Sequence, residues 1–446
     1  MNYINLLLHL YQFKKNAMMT RKNMVALQQK KLIKILKYAY HHSEYYHKTF
    51  KKAGITSKNI DTIPLSKFPT INKTTFIQNF DSIVTQRDLS QQELIDFDSE
   101  SNKDKKTFKK KYHIVHSSGS TGKPAYFVYD NQAWETMLVG VIRAALWDMS
   151  MPQILKYLFQ RPRILYIAAT DGRYGGAMVV GDGIEGVKGN QLFIDINMPL
   201  NEWIVKIKQF QPDMIVGYPS AIKILGELIE NRKLDVNVFR VISCGEALSD
   251  NLRQYFKKIF HTDVINFYGA SESLVLGVES NFNEGMYLFD DMNYIEVENG
   301  NMYITSLYNF VQPLIRYQIT DRLKLKNNNE KYPFMRAENI IGREEDVLWF
   351  ENKGKKEFLH PLAIEGFCIE GLLDYQFRQL SDNSFEMLAQ TSDNSKKANI
   401  KIEMLSQMKK ILNEKHLDDV KFYIQFIEKI LPDKKTGKKK LIVRGE

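Results

Sequence analysis

Cysteine is nearly missing: Cys244 and Cys368 are the two in 446 residues, and they stand far apart. Neither a disulfide framework nor a cysteine-rich zinc cluster can be built from such a pair, and a reducing, cytoplasmic setting fits best. No apolar run approaches the ~20 residues of a membrane span, so the 44% hydrophobic content reads as globular core. Internal repeats and low-complexity tracts are also absent, which excludes solenoid and fibrous architectures. No RNA- or DNA-reading motif accompanies the net charge of +10, so nucleic acid is not an expected partner. The charge suits an anionic ligand such as a nucleotide and leaves peripheral membrane contact open. The apolar start from Met1 to Gln12 lacks the order of a signal peptide, because Lys14, Lys15, Arg21 and Lys22 follow the apolar part instead of preceding it.

What is present suffices for two or three domains. Residues 21–52 read as a basic amphipathic helix, with Val25, Leu32, Leu36 and Ala39 at helical spacing and Lys30, Lys31, Lys34 and Lys37 between them. The pattern stops at Gly54 and leads into Pro64 and Pro69, which favours packing on a main domain over lying on a membrane. His41, His42 and His47 fit the polar face of this helix better than a metal site. Ser99 to Lys111 is charged enough to be a solvated loop, and Gln132 to Met149 is helical. Ile164 to Ala169 reads as a buried strand, and the glycine-punctuated loop beyond it, Gly172 to Gly189, either borders a pocket or simply connects.

From residue 190 strands and helices alternate. Met214–Gly217, Phe239–Ser243 and Val264–Tyr268 are short apolar runs, and helical stretches Ala221–Glu230 and Ser249–Phe260 separate them. That rhythm predicts an α/β sheet rich in parallel strands, with ligands at the carboxyl ends. Past Gly285 come strands without helices, at Tyr294–Val297, Met302–Thr305 and Leu314–Tyr317, which predict a β subdomain. A polar joint, Gly342 to Asp346, precedes a last segment of mixed strands and helices.

The stretch Ser117-Ser118-Gly119-Ser120-Thr121-Gly122-Lys123-Pro124 carries the chemistry of a polyphosphate grip: free backbone, hydroxyl donors and an ammonium. It is not a Walker A loop. Gly119 and Gly122 are too close, Pro124 follows Lys123, and the next residues, Ala125 to Tyr129, read as a strand instead of a helix. A plain Ser/Gly surface turn is the competing reading. At predicted strand ends stand Gly245-Glu246, Tyr268-Gly269-Ala270-Ser271-Glu272 and Thr320-Asp321. Tyr268 can stack a purine with Gly269 letting the ring lie flat, Glu272 is a hard oxygen donor for Mg²⁺, and Asp321 can accept two ribose hydroxyls. Each taken alone reads more readily as an ordinary turn or surface charge.

Their joint order resembles the adenylate-forming superfamily, and within it the phenylacetate-coenzyme A ligase and CapK-like branch. Ser117 to Pro124 is similar to that family's signature loop, Tyr268 to Glu272 to its Tyr-Gly-x-Ser/Thr-Glu, and Pro313 to Tyr317 with Asp321 to its Pro-Leu-Ile-Arg-Tyr and aspartate. Gly342-Arg343 resembles the interdomain joint, and Gly437-Lys438 the place of the catalytic lysine. Tyr45-Tyr46, Leu65 to Pro69 and Lys73 resemble the N-terminal leader of the branch. Two departures stand out: Ile319-Thr320-Asp321 stands where the family commonly has Thr-Gly-Asp, so the glycine before the aspartate is lost, and Ser273 to Val278 lacks the proline and first glycine frequent in phenylacetate ligases.

The resemblance implies an α/β protein with a large N-terminal domain, residues 1–343, made of a helical leader (1–100), parallel-rich sheets and a β subdomain (285–343). A small mobile α+β domain, 344–446, would hinge at Glu345 and present Lys438. Ser117, Ser118, Gly119, Ser120, Thr121, Gly122 and Lys123 would hold the phosphates of ATP, Ser271 would lie near the α-phosphate, and Gly245 and Glu246 would border the adenine. Glu272 would hold Mg²⁺, and Arg343 would bind ribose or phosphate. The implied activity is carboxylate activation through an acyl adenylate with release of pyrophosphate, followed by acyl transfer to coenzyme A. Transfer to a sugar, amine or carrier in surface-polysaccharide or natural-product biosynthesis is the alternative, and a non-catalytic scaffold is a third reading. A homodimer is compatible with all three.

Overall fold

A computed structural model describes residues 3–98, 107–117, 124–168, 170, 175, 176, 178, 191–195, 198, 200–280, 284–298, 301–319, 321–326, 331–343, 348–352, 355–359, 364, 367, 369–391, 393–414, 417–431 and 441–444. The chain divides into two compact units. One comprises Met1–Glu246, Tyr255–Ile319 and Leu323–Asn339; the other comprises Ala247–Gln254, Thr320–Arg322 and Ile340–Glu446.

The first unit opens with three helices, α1 (Tyr3–Ala17), α2 (Arg21–His42) and α3 (Glu44–Lys52). The single helix expected over 21–52 is therefore two. Ser43 ends α2, its N–H reaching the Ala39 carbonyl, and starts α3, its hydroxyl accepting from the Tyr46 N–H. A serine side chain that can cap a new helix competes with continuation of the old one. As expected, α2 packs on the body of the protein, burying Met24, Leu32, Ile35, Leu36 and Ala39.

A buried ionic cluster holds these helices down. Arg143 donates to Asp291 at 2.8 Å, Asn16 donates to the same carboxylate oxygen at 2.8 Å, and Lys31 reaches the Asp291 carbonyl at 2.7 Å. The Arg143 guanidinium lies 4.1 Å from the Phe13 ring centre and 3.8 Å from that of Phe289. Next to it, Asp290 takes hydrogen bonds from Arg21, Gln28 and the Met335 N–H.

Strands β1 (Tyr112–His116) and β2 (Tyr126–Asp130) form an antiparallel ribbon, with residues 117–125 as its connection. The large sheet has nine strands. Its parallel half runs β4 (Gln191–Asp195), β3 (Ile164–Ala168), β5 (Met214–Gly217), β6 (Arg240–Cys244) and β7 (Val264–Ala270). Leu165, Ile167, Ile215, Val241, Val264 and Ile265 are buried, as strands covered on both faces require. The other half turns antiparallel with β8 (Ser273–Glu279) and β9 (Met286–Leu288), and continues through β14 (Arg336–Arg343) to β13 (Asp321–Lys326).

The strands of residues 285–343 thus divide between two sheets. β10 (Asn293–Glu298), β11 (Asn301–Ser306) and β12 (Tyr317–Ile319) make a separate three-stranded antiparallel sheet. The strand expected at Leu314–Tyr317 begins only at Tyr317, because Arg316 takes a left-handed φ of 47° and the preceding residues form a bend. Tyr46 of α3 fixes that bend: its hydroxyl donates to the Pro313 carbonyl at 3.0 Å and accepts from the Ile315 N–H at 3.1 Å.

The second unit contains the hairpin β15 (Leu348–Asn352) and β16 (Lys355–Leu359). It also contains a four-stranded sheet ordered β19 (Lys421–Ile427), β18 (Ser384–Thr391), β17 (Leu372–Ser381), β20 (Ile442–Arg444). The helix Lys397–Glu414 buries Ile400, Met404 and Met408, spaced four apart, in a core with Phe377, Phe385 and Met387 of that sheet.

Candidate active site

Parallel strands β5, β6 and β7 end at the same edge of the large sheet, and the chain leaves that edge at Tyr218, at Gly245-Glu246 and at Ser271-Glu272. Carboxyl ends of parallel strands are where α/β sheets collect ligands. Gly245 has a φ of 78°, and a Cβ built on it would sit 2.6 Å from the Tyr218 ring. Only glycine lets the backbone turn here and pass so close to an aromatic face. The next residue, Glu246, accepts from the Ser220 N–H and from the Ser220 hydroxyl, both at 3.1 Å. Ser220 lies in the first turn of the helix Pro219–Glu230, where free N–H groups favour a carboxylate.

Neighbouring β7 turns into β8 through Ala270 to Ser273 with a register irregularity between Tyr268 and Ala270. A Cβ on Gly269 would lie 2.6 Å from the Leu274 carbonyl oxygen, so glycine is what allows this tight reversal. Ser271 and Glu272 ride on its tip, both partly accessible. Tyr268 is buried, and its hydroxyl faces the Met302 sulfur at 3.5 Å.

Two tyrosines from different sheets approach Glu272, and a third packs on one of them. Tyr129 of β2 and Tyr317 of β12 are buried, and neither hydroxyl has a hydrogen bond of good geometry. Burial, then Tyr308 and Glu272, push the Tyr129 phenol well above its ordinary range. Burial and then the Glu272 carboxylate do the same to Tyr317. Tyr308 stacks on Tyr129 with ring centres 6.5 Å apart, its hydroxyl is 3.3 Å from Ser273 Oγ, and burial pushes its phenol up to about 12. All three phenols therefore stay neutral at physiological pH, and those of Tyr129 and Tyr317 lie on the Glu272 side. A single hard carboxylate in such a place fits Mg²⁺, which binds through one or two carboxylates plus substrate phosphates.

Ser117 ends the β1 side of the ribbon, where its N–H donates to the Ala125 carbonyl at 2.9 Å and its hydroxyl accepts from the Ala125 N–H at 2.9 Å. Ser118, Gly119, Ser120, Thr121, Gly122 and Lys123 lie outside the described residues, as do Glu345 and Lys438. Arg343 closes β14 and Asp321 opens β13. Gly245-Glu246 thus follow β6, Tyr268-Gly269 lie in the adjacent parallel strand β7, and Ser271-Glu272 follow β7, all within one unit.

Two features of the surroundings were not visible in the sequence. The Tyr129 and Tyr317 hydroxyls come from separate sheets, and an isolated tyrosine in an apolar run carries no local sign of a polar role. Arg316, within the Pro-Leu-Ile-Arg-Tyr stretch, is a buried staple: it binds Glu296 at 3.1 Å, Glu298 at 2.8 Å and the carbonyls of Ser66 and Phe68 at 2.9 and 2.8 Å. Trp134, Trp147 and Tyr218 are all core residues.

No family model matches the chain. Among solved structures, 2-hydroxyisobutyryl-CoA ligase in the postadenylation state with 2-HIB-AMP superposes with a TM-score of 0.73 at 16% identity, over 97% of this chain and 91% of that one. The fold is that of the adenylate-forming ligases. By sequence the chain is similar to CapK and to phenylacetate-coenzyme A ligases. It is 24% identical to protein CapK of Staphylococcus aureus over 94% of this chain and 89% of that protein. It is also 24% identical to phenylacetate-coenzyme A ligase of Pseudomonas putida over 70% of this chain and 69% of that protein. The expected α/β class, with a parallel-rich sheet and an α+β C-terminal part, agrees with this fold. Among the described residues, no helix is long and apolar enough to cross a membrane.

Proposed function

We propose that this protein uses ATP to activate a carboxylic acid and then transfers the acyl group to coenzyme A. A carboxylate oxygen attacks the α-phosphorus, the bond from that phosphorus to its bridging oxygen breaks, and pyrophosphate leaves an acyl adenylate. The thiolate of coenzyme A then attacks the acyl carbon, and AMP departs. The observation that carries this reading is the pairing of Gly245-Glu246 with Ser271-Glu272 at the carboxyl ends of two adjacent parallel strands, in a chain with this fold.

Such a reaction asks the protein chiefly for positioning and for neutralisation of phosphate charge. Ser117, Ser118, Ser120, Thr121 and Lys123 would grip the outer phosphates through hydroxyls, backbone amides and one ammonium, with Gly119 and Gly122 giving close approach. Gly245 and Glu246 would border the adenine, with Tyr268 beside it. Asp321 would take the ribose hydroxyls, and Arg343 would assist at ribose or phosphate. Glu272 would hold a Mg²⁺ ion, which when bound offsets charge on the triphosphate. Ser271 would sit by the α-phosphate, and Lys438 would bring its ammonium to the reacting oxygens as negative charge gathers there. Glu345 would be the hinge between domains 1–343 and 344–446 that delivers Lys438. A cytoplasmic location suits both the cysteine-poor chain and its proposed co-substrates.

The coverage of the CapK likeness, wider than that of the phenylacetate ligases, supports a second acceptor class: a sugar, amine or carrier in surface-polysaccharide biosynthesis. Incubating the protein with ATP, Mg²⁺ and a panel of carboxylic acids, with and without coenzyme A, separates the readings. Acid-dependent pyrophosphate with consumption of the thiol supports the first. Pyrophosphate without thiol consumption supports the second, and no pyrophosphate with any acid leaves only a binding role.

A further inference from the structure

Glu44 is the first acidic residue of the chain; eight lysines and arginines precede it with no aspartate or glutamate among them. Of the formal net charge of +10, therefore, +8 resides in the first 43 residues and +2 in all the rest. Part of that charge is spent internally: Lys14 binds the carbonyls of Trp147 and Met149, Arg21 binds Asp290, Lys31 binds the Asp291 carbonyl, and Lys37 binds Asp61. Lys15, Lys22 and Lys30 are exposed.

The same segment shows apolar side chains on its outside. In α1 one stripe, Leu6, Leu10, Phe13 and Ala17, is buried against the body. A second stripe at the same helical spacing faces out: Ile4 is 69% exposed, Leu8 58% and Tyr11 62%, and Lys15 continues it one turn further on. Met18 in the connection and Val25 in α2 are exposed apolar side chains as well. Five of the sixteen large apolar side chains exposed among the described residues thus fall within the first 25 positions. A helix that is apolar on both faces, with lysines at its edge and no acidic residue of its own, is not built for water alone.

The geometry points to α1 and the start of α2 as a docking surface for an anionic lipid bilayer, with Ile4, Leu8 and Tyr11 entering the headgroup region and Lys15, Lys22 and Lys30 meeting lipid phosphates. Apolar insertion with basic flanks is how interfacial helices bind membranes without crossing them. A second copy of this chain fits the surface poorly, because a two-fold contact through it sets the same positive charges against each other. A nucleic acid would use the lysines and leave Ile4, Leu8 and Tyr11 without a role. The proposal is independent of the reaction assigned to the strand-end site.

Flotation of the full chain with phosphatidylcholine vesicles, and with vesicles in which one-third of the lipid is phosphatidylglycerol, is the test. Each exposed lysine adds about fivefold to partitioning at an anionic surface, so the triple variant Lys15→Glu, Lys22→Glu, Lys30→Glu is expected to lose well over tenfold. The variant Leu8→Glu, Tyr11→Glu is expected to lose about tenfold or more, with an unchanged melting temperature because both side chains are already in water. The wild type is expected to float with anionic vesicles only, less so at high salt. Failure to float with anionic vesicles, equal flotation with neutral ones, or full binding by the Leu8→Glu, Tyr11→Glu variant overturns the proposal. So does a dimer, seen by sedimentation velocity, that this variant abolishes.

Discussion

Ser220 holds both carboxylate oxygens of Glu246, its N–H bonding one and its hydroxyl the other, each at 3.1 Å. The strand-end glutamate is thereby tied to the first turn of the helix that follows the neighbouring strand, and the edge of the sheet is set before any ligand arrives. Replacing Ser220 by alanine removes one of the two bonds and should lower stability by about 1 kcal/mol. Chemical unfolding of the variant checks this, and Glu246→Ala, which removes both bonds, should cost more than Ser220→Ala.

Gly245→Ala should be far more damaging than its single methyl group implies. The residue would have to keep a φ of 78° with its Cβ 2.6 Å from the Tyr218 ring. Left-handed backbone alone costs an ordinary residue about 1–2 kcal/mol, and displacement of a buried tyrosine adds to it. The expected result is a lower melting temperature together with weakened ATP binding by calorimetry. A variant that melts and binds like the wild type would remove the reason for glycine here.

Tyr317→Phe should separate stability from function. The Tyr317 hydroxyl is buried beside the Glu272 carboxylate without a hydrogen bond of good geometry, so it returns little of the cost of its burial to stability. Its removal should leave the melting temperature unchanged or raise it. Because the hydroxyl faces Glu272, the same change should raise the Mg²⁺ concentration needed for ATP binding several-fold, as loss of an orienting neighbour does at other metal ligands. A clear loss of stability would instead make the hydroxyl a structural group.

The cluster under the leader helices predicts a sign for the acid limb of stability. Burial alone would raise the Asp291 carboxyl, but Arg143 and Lys31, with hydrogen bonds from Arg143 and Asn16, outweigh it and hold it below its ordinary value. A group whose folded pKa is depressed contributes stability above the unfolded value and loses it as pH falls through the folded one. Asp290 behaves oppositely: burial outweighs Arg21 and raises it, so its ionisation in the fold opposes stability as pH rises. Asp291→Asn should therefore weaken the protein at neutral pH, by up to about 3–5 kcal/mol for an uncompensated Arg143, while flattening its further loss below about pH 4. Asp290→Asn should leave that acid limb steep. Urea midpoints measured across this pH range decide between them.

Much of the large sheet was legible because its chemistry is local. Met214–Gly217, Arg240–Cys244 and Val264–Ala270 are short apolar runs, each bounded by turn residues, and the helices between them have clear apolar stripes. The break at Ser43 was not, since the apolar periodicity carries on past it and only the serine hydroxyl marks the new start. Leu314 to Arg316 has the composition of a strand, yet the Tyr46 hydroxyl, 269 positions away from Ile315, bends it. Tyr-Gly-Ala-Ser-Glu was readable as a site because glycine, hydroxyl and carboxylate fall together in five residues. The Tyr129 and Tyr317 phenols beside Glu272 were not, because strands of two separate sheets deliver them.

Acid-dependent exchange of labelled pyrophosphate into ATP is the measurement that bears most directly on the proposed reaction, because it reports the first half-reaction whatever acceptor follows. With a suitable carboxylic acid the wild type should exchange rapidly, while Lys438→Ala and Glu272→Gln, both still folded by circular dichroism, should lose at least about a hundredfold. Exchange that proceeds equally in all three proteins, or in none with any acid tried, would contradict the account.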